Sequence, residues 1–202
     1  MKSEMKMAVA GLLVMAAMQS CQLVTGAIDI AREVKGFPVE VKLNDGTLLA
    51  GEAKMPNGRT KTVTVKEADG TKHKLDSEDI AYLTAWSEKA PDSRFTLVYK
   101  GKRWMVPKSV GRYLAVFAQS GDFYIGKDGT MHVTGTQIHY YGFRPGEEEG
   151  TLIAHTDYSK KQARKSVTAY LSDDPDLCRA IEAKEIDPFD FDTICAEYNP
   201  GQ

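Results

Sequence analysis

The sequence predicts an α+β fold: an antiparallel, β-rich part over residues 37–157, followed by about three short helices over residues 158–199. Three observations predict it. From residue 37 apolar and polar residues alternate with period two. Turn-forming Asp-Gly and Asn-Gly pairs separate these runs. After residue 158 the apolar spacing changes to that of a helix.

In "PVEVKL", Val39, Val41 and Leu43 alternate with Glu40 and Lys42, as in a half-buried strand. "NDG" ends it, "TLLAGEAKM" returns, "PNG" at residues 56–58 turns again, and "TVTVK" resumes the alternation. Asp-Gly-Thr occurs at residues 45–47, 69–71 and 128–130, each time between alternating runs. Asp and Gly suit the left-handed conformations of tight hairpins, so all three copies are expected to be turns. A calcium loop would need further carboxylates at alternate positions, and none of the copies has them.

"DIAYLTAW", residues 79–86, reads as a buried strand, with Ser77 as an alternative start for a short helical turn. "APDS", residues 90–93, reads as a break between two β layers. "RFTLVYKGKRWMVP" is a hairpin around "KGK". "RYLAVFAQ", "DFYIGK", "TMHV", "QIHYYGF" and "TLIAHT" supply further strands, and "RPGEEEG" is a solvated loop by composition.

Ser159 with Gln162 forms a capping box, in which each side chain satisfies a backbone donor of the first helical turn. Ala163, Val167, Tyr170 and Leu171 then share one face. Asp174-Pro175 opens a second helix as N-cap and first helical residue, and Asp187-Pro188 is expected to open a third. In that third helix Phe191, Ile194, Cys195 and Tyr198 form a stripe at i, i+3, i+4 and i+7.

Bulk composition is that of an ordinary globular chain, and a net charge of -2 gives no support to a nucleic-acid partner. The N-terminus is more specific. "MKSEMK" carries two lysines, residues 7–18 are uncharged and apolar, and "QSC" follows. This is the layout of an export signal over residues 1–20, with an apolar run too short to cross a bilayer. Cys21 after Ser20 resembles a bacterial lipoprotein site, in which the Cys becomes the lipidated first residue of the mature chain; a cut after Ala27 is the rival. Residues 21–36 are then a linker, and the expected location is the periplasm or outer membrane, with acyl chains on Cys21 as the membrane contact. Setting Cys21 aside leaves Cys178 and Cys195 on two successive helices. They are expected either to close a disulfide or to remain two buried thiols.

"KGFPVEVKLNDGTLLAGEAK", "DGTKHKLDSEDIAYL", "FTLVYKGKRWMVP", "DFYIGKDGTMHV" and "YLSDDPDLCRAIEAKEIDPFDFDTICAEYN" follow one another in an order that resembles a group of uncharacterised exported proteins of Gram-negative bacteria. The resemblance covers most of residues 36–199. It implies a β-rich part with a C-terminal helical tail, and no activity. Locally, Val41, Leu43, Gly46 and Gly51 are similar to the first motif of the Sm-like small barrels, whose second motif has no counterpart here. What this implies is a sharply bent strand at Gly51, as in a small barrel.

No reactive constellation is recognisable. His132, His139 and His155 with Asp157 lack metal-ligand spacing, and His132 is expected to face solvent. There is no G-x-S-x-G element, no phosphate-binding Gly loop, and both helical Cys fall on apolar faces. The residues left as candidates for ligand contact are aromatic: Trp104, Tyr113 and Tyr141, which would offer flat faces to a glycan or peptide if exposed. Of the neighbours Tyr140 and Tyr141, one should point outward. The expectation is a non-enzymatic envelope protein without cofactor or metal, whose partner is an envelope protein or a glycan. A glycan- or peptide-binding protein and a hydrolase with an unrecognised site are the alternatives.

Overall fold

A computed structural model describes residues 36–119, 122–125, 131–134 and 137–200 of the 202-residue chain. The expected signal, Cys21 and the third Asp-Gly-Thr lie outside the described residues, as do the side chains of Tyr124 and His132.

The protein has an α+β fold. Ten strands form one antiparallel sheet: β1 (Phe37–Leu43), β2 (Leu48–Ala53), β3 (Thr62–Lys66), β4 (Lys72–Asp76), β5 (Ile80–Ser87), β6 (Ala90–Lys100), β7 (Arg103–Val110), β8 (Ala115–Gln119), β11 (His139–Phe143) and β12 (Thr151–His155). Their order across the sheet is β12-β11-β8-β7-β6-β5-β1-β2-β3-β4. A separate hairpin, β9 (Asp122–Ile125) with β10 (Met131–Thr134), lies between β8 and β11 in sequence. Three helices follow: α1 (Lys160–Tyr170), α2 (Pro175–Glu182) and α3 (Phe191–Glu197).

The turns form as their residues dictate. Asp45 accepts the Thr47 N–H and Asp69 accepts the Thr71 N–H, each at 2.8 Å, and Gly46 and Gly70 take positive φ. Those hydrogen bonds hold both carboxyls below the ordinary carboxylate range. The turn at Gly101-Lys102 has positive φ at both residues, as a type I′ hairpin needs. "APDS" does not break the chain. Residues 90–93 are the start of the eleven-residue β6, and Pro91 stands at the strand's beginning, where a missing N–H is tolerated. The reversal occurs earlier, at residues 87–90, where the Ser87 hydroxyl accepts the Lys89 N–H.

The short β4–β5 connection forces the sheet to curl. β5 and β4 stand four places apart, about 19 Å in a flat sheet. Only the 3₁₀ turn Ser77–Asp79 joins them, at about 2 Å per residue. The β1–β5 end therefore wraps around Val39, Val41, Val63, Val65, Leu83, Leu97 and Trp104, all buried. The sheet is not closed as a ladder. In place of a final strand pair, the Trp104 N–H reaches the Gly58 carbonyl at 3.3 Å. Gly51 fits this wrap: a Cβ there would stand 2.3 Å from the Lys66 carbonyl oxygen, so the crossing of β2 and β3 needs glycine for close approach.

At the other end, α1 and α3 cover the same face of β7, β8, β11 and β12. Val116, Tyr140, Ile153, Ala163, Val167, Leu171, Ile181, Phe191 and Ile194 form this second core. The capping box of Ser159 and Gln162 and the Asp174 cap on α2 are as the sequence predicts. The third helix starts later than Asp187-Pro188. Asp187 instead accepts the Phe189 N–H in a turn, and Asp190 caps α3 through the Thr193 N–H. The stripe Phe191, Ile194, Cys195 and Tyr198 is buried.

Candidate functional site

With the inner face of the sheet filled at both ends, the outer face of β6, β7, β8, β11 and β12 is where aromatic side chains approach solvent. Register assigns the faces. Tyr140 pairs with Ala154 and points into the helical core. Tyr141 pairs with Phe117, and His139 with both Gln119 and His155, so these point outward. Met105, Phe117 and Phe143 form a small buried cluster on this side, with Phe117 edge-on to Phe143 at 5.3 Å. Cations rim it: Lys100 Nζ lies 4.7 Å from the Phe143 ring and Arg103 4.9 Å from the Tyr141 ring. Burial lowers the Lys100 pKa, which the Glu147 charge partly offsets.

The His139 and His155 rings stand 5.6 Å apart, and Tyr158 lies against His155 at 3.8 Å. His155 Nδ1 accepts the Asp157 N–H at 3.2 Å. That bond occupies the Nδ1 lone pair. Among the described residues no group of three or more His, Cys, Asp or Glu is arranged to hold an ion.

The three aromatic candidates are not brought together. Trp104 is 2% exposed, a correction to its reading as a ligand platform. Its indole N–H is directed at the Thr60 carbonyl and the Ser77 hydroxyl, both at 3.1 Å, because the wrapped sheet needs a large side chain with one donor at this point. Tyr113 is half-buried against the helical core, with Arg112 4.9 Å from its ring. Tyr141 alone lies on the outer face, half-buried beneath Arg103.

Cys178 and Cys195 are free, which corrects the expected disulfide in favour of two thiols. Their helices aim them at different neighbours. Cys178 Sγ donates toward the Leu171 and Thr168 carbonyls of the α1 end, at 3.2 and 3.4 Å. Cys195 packs toward Ser109, Gly111 and Val116 of β7 and β8. Burial pushes both thiols up, Cys195 to about 11, so neither is an activated nucleophile.

Sequence reasoning missed a polar clamp around Arg144. Its guanidinium donates to Asp173 Oδ1 at 2.8 Å and to the Tyr170 carbonyl, and stacks against the rings of Tyr170 and Tyr198 at 4.6 and 5.6 Å. The Tyr198 hydroxyl donates to Asp173, and that of Tyr170 to Glu147 Oε2 at 3.0 Å. Burial first, then these carboxylates, pushes both phenols up, Tyr198 to about 12. The clamp fastens the 144–150 loop and the chain's last helix to α1. Its only sequence signal is an Arg and a Glu three residues apart in a loop otherwise read as solvated.

Comparison of the chain with protein-family profiles, with curated proteins and with solved structures finds no match.

Proposed function

We propose that this is a non-catalytic binding or scaffolding protein of the cell envelope, exported and held on a membrane by acyl chains on Cys21. The observation that carries this reading is the order of basic start, twelve-residue apolar run and Ser-Cys at residues 2–21, which fits an export signal ending in a lipidation site. The state of the nucleophiles is in keeping with it. Burial raises both described thiols, and the phenols of Tyr170 and Tyr198 are raised inside a clamp that joins structural elements. The test is the intact mass of the protein taken from the membrane fraction. The expected mass is that of a chain beginning at Cys21 and carrying acyl groups. A mass that includes Met1 rejects the reading, and one that begins at Ile28 without lipid replaces the anchored form with a soluble exported one.

A second reading is favoured by one feature, the outer face around Tyr141. A half-exposed ring under Arg103, beside His139 and His155, offers stacking and hydrogen bonding to a glycan or an extended peptide. Under this reading Tyr141→Ala abolishes retention on isolated cell-wall glycan while Tyr113→Ala leaves it intact.

A further inference from the structure

We infer that the outer face of the β3–β4 hairpin, through Lys66, Lys72 and Lys74, rests on an anionic lipid surface. The inference deepens the membrane-anchored reading given above and rests on it. In the hairpin register Lys66 stands directly opposite Lys72, and Lys74 opposite Thr64. Period-two geometry puts all four on one face, and all four are exposed. Like charges placed directly opposite each other destabilise a strand pair. No ion pair holds any of the three lysines among the described residues. On α1, Lys160 is bonded to Asp187 and Arg164 to the Ile181 carbonyl, while Lys161 and Lys165 are exposed and, like the hairpin lysines, in none of the ion pairs among the described residues.

Position gives the hairpin its partner. Pro38 pairs with Glu52, Glu52 with Lys66, and Lys66 with Lys72, so these four lie in one row across β1, β2, β3 and β4. The described chain starts at Gly36, beside Glu52 and Ala53, about 10 Å from Lys66 across two strand spacings. An anchor on Cys21 is joined to Gly36 by a segment that spans at most about 50 Å fully extended. The chain therefore leaves the described fold toward Cys21 at the end of the molecule that carries the lysines. Charge is segregated along it. Residues 54–74 hold six Lys and Arg against two carboxylates, while the helical residues 158–199 hold nine carboxylates against six Lys and Arg. A negatively charged surface attracts the first end and repels the second, which fixes the orientation of a tethered body.

The test is lysine-by-lysine acetylation, read by mass spectrometry, of the full protein reconstituted in phosphatidylcholine vesicles and in vesicles with an equal part of phosphatidylglycerol. Each lysine near such a surface contributes about five-fold to residence there, roughly a hundredfold for three. Lys66, Lys72 and Lys74 are expected to be protected several-fold on the phosphatidylglycerol vesicles only, and Lys161 and Lys165 not at all. Raising the salt from about 0.1 to about 0.5 M should remove the protection. Equal labelling of all lysines on both vesicles overturns the inference. So does protection that is equal on neutral vesicles, or protection given by heparin but by no vesicle, which would make the partner a soluble polyanion. The Cys21 peptide in the same spectra reports the anchor separately. Protection without lipid on Cys21 sinks the anchor and supports the inference; lipid without protection does the reverse. The triple Lys→Gln variant, checked for an unchanged melting curve, should lose orientation while keeping its lipid.

Discussion

The indole N–H of Trp104 on β7 meets the hydroxyl of Ser77 at 3.1 Å, across 27 positions of sequence, and both residues are buried. Ser77 in turn donates to the Thr60 carbonyl at 2.9 Å, the same oxygen that the indole approaches. These three groups tie the 3₁₀ turn, the loop before β3 and β7 together where the curled sheet lacks a continuous ladder.

Replacing Trp104 with Phe removes the donor and part of the volume that fills this junction. The expected loss is roughly 2–3 kcal/mol of unfolding free energy, measured by urea titration. Ser77→Ala should cost about 1 kcal/mol. The double variant should cost less than the sum of the two, because both substitutions break the same contact. Strict additivity would show that the two residues act independently.

Gly111 marks where α3 docks on the sheet. A Cβ at this position would stand 1.9 Å from the Cys195 carbonyl oxygen, so backbone must move against backbone. Gly111→Ala is expected to cost about 2 kcal/mol or more. The Tyr198 ring signals of the variant should broaden or shift, since the clamp depends on where α3 sits. A variant as stable as the parent would mean that α3 is free to slide.

Alkaline pH should loosen the helical end first. The ordinary values are 9.0 for Cys195 and 10.0 for Tyr198, raised here to about 11 and about 12. A group whose pKa is higher folded than unfolded contributes stability below its unfolded value and loses it as pH rises toward the folded one. The unfolding midpoint should therefore fall between pH 9 and pH 12. Tyr198→Phe and Cys195→Ala should each flatten the fall. An unchanged slope in both would place the alkaline transition elsewhere.

The thiol count separates the two readings of the cysteines. Cys178 and Cys195 are both free and both raised by burial. Unfolded protein from the membrane fraction should titrate as two thiols, because a lipidated Cys21 carries its sulfur as a thioether. The native protein should react slowly at neutral pH. Rapid native reaction of Cys195 would contradict its burial at 2% exposure.

Arg144→Lys tests the clamp itself. Lysine keeps the charge and loses both the planar stacking on Tyr170 and Tyr198 and the second hydrogen bond. A loss of about 1–2 kcal/mol is expected. Asp173→Asn should cost less, because the ion pair it breaks is partly open to solvent.

Local chemistry was legible in the chain because its causes lie within a few residues. Asp45 and Asp69 turn the backbone through the N–H two positions on, Ser159 and Asp174 accept the N–H three positions on, and Gln162 accepts the Ser159 N–H three positions back. The alternation that defines β1 and β3 needs no knowledge of the rest of the molecule. Matters decided by distant partners were not legible. The strand run through Ala90-Pro91 and the separation of Cys178 from Cys195 each depend on packing against other elements, whereas the start of α3 at Phe191 turns on which of two nearby Asp residues, Asp187 or Asp190, caps it. Trp104 shows the limit most plainly. Its hydrophobic bulk and single donor suit a binding surface and a core junction equally, and only the curl imposed by the three-residue β4–β5 connection put it inside. The sequence by itself determined the turns at Asp45 and Asp69, the caps of the first two helices and the α+β class, since those follow from neighbouring backbone groups. Tertiary structure decided which aromatic faces water, since burial is a property of the assembled sheet and helices.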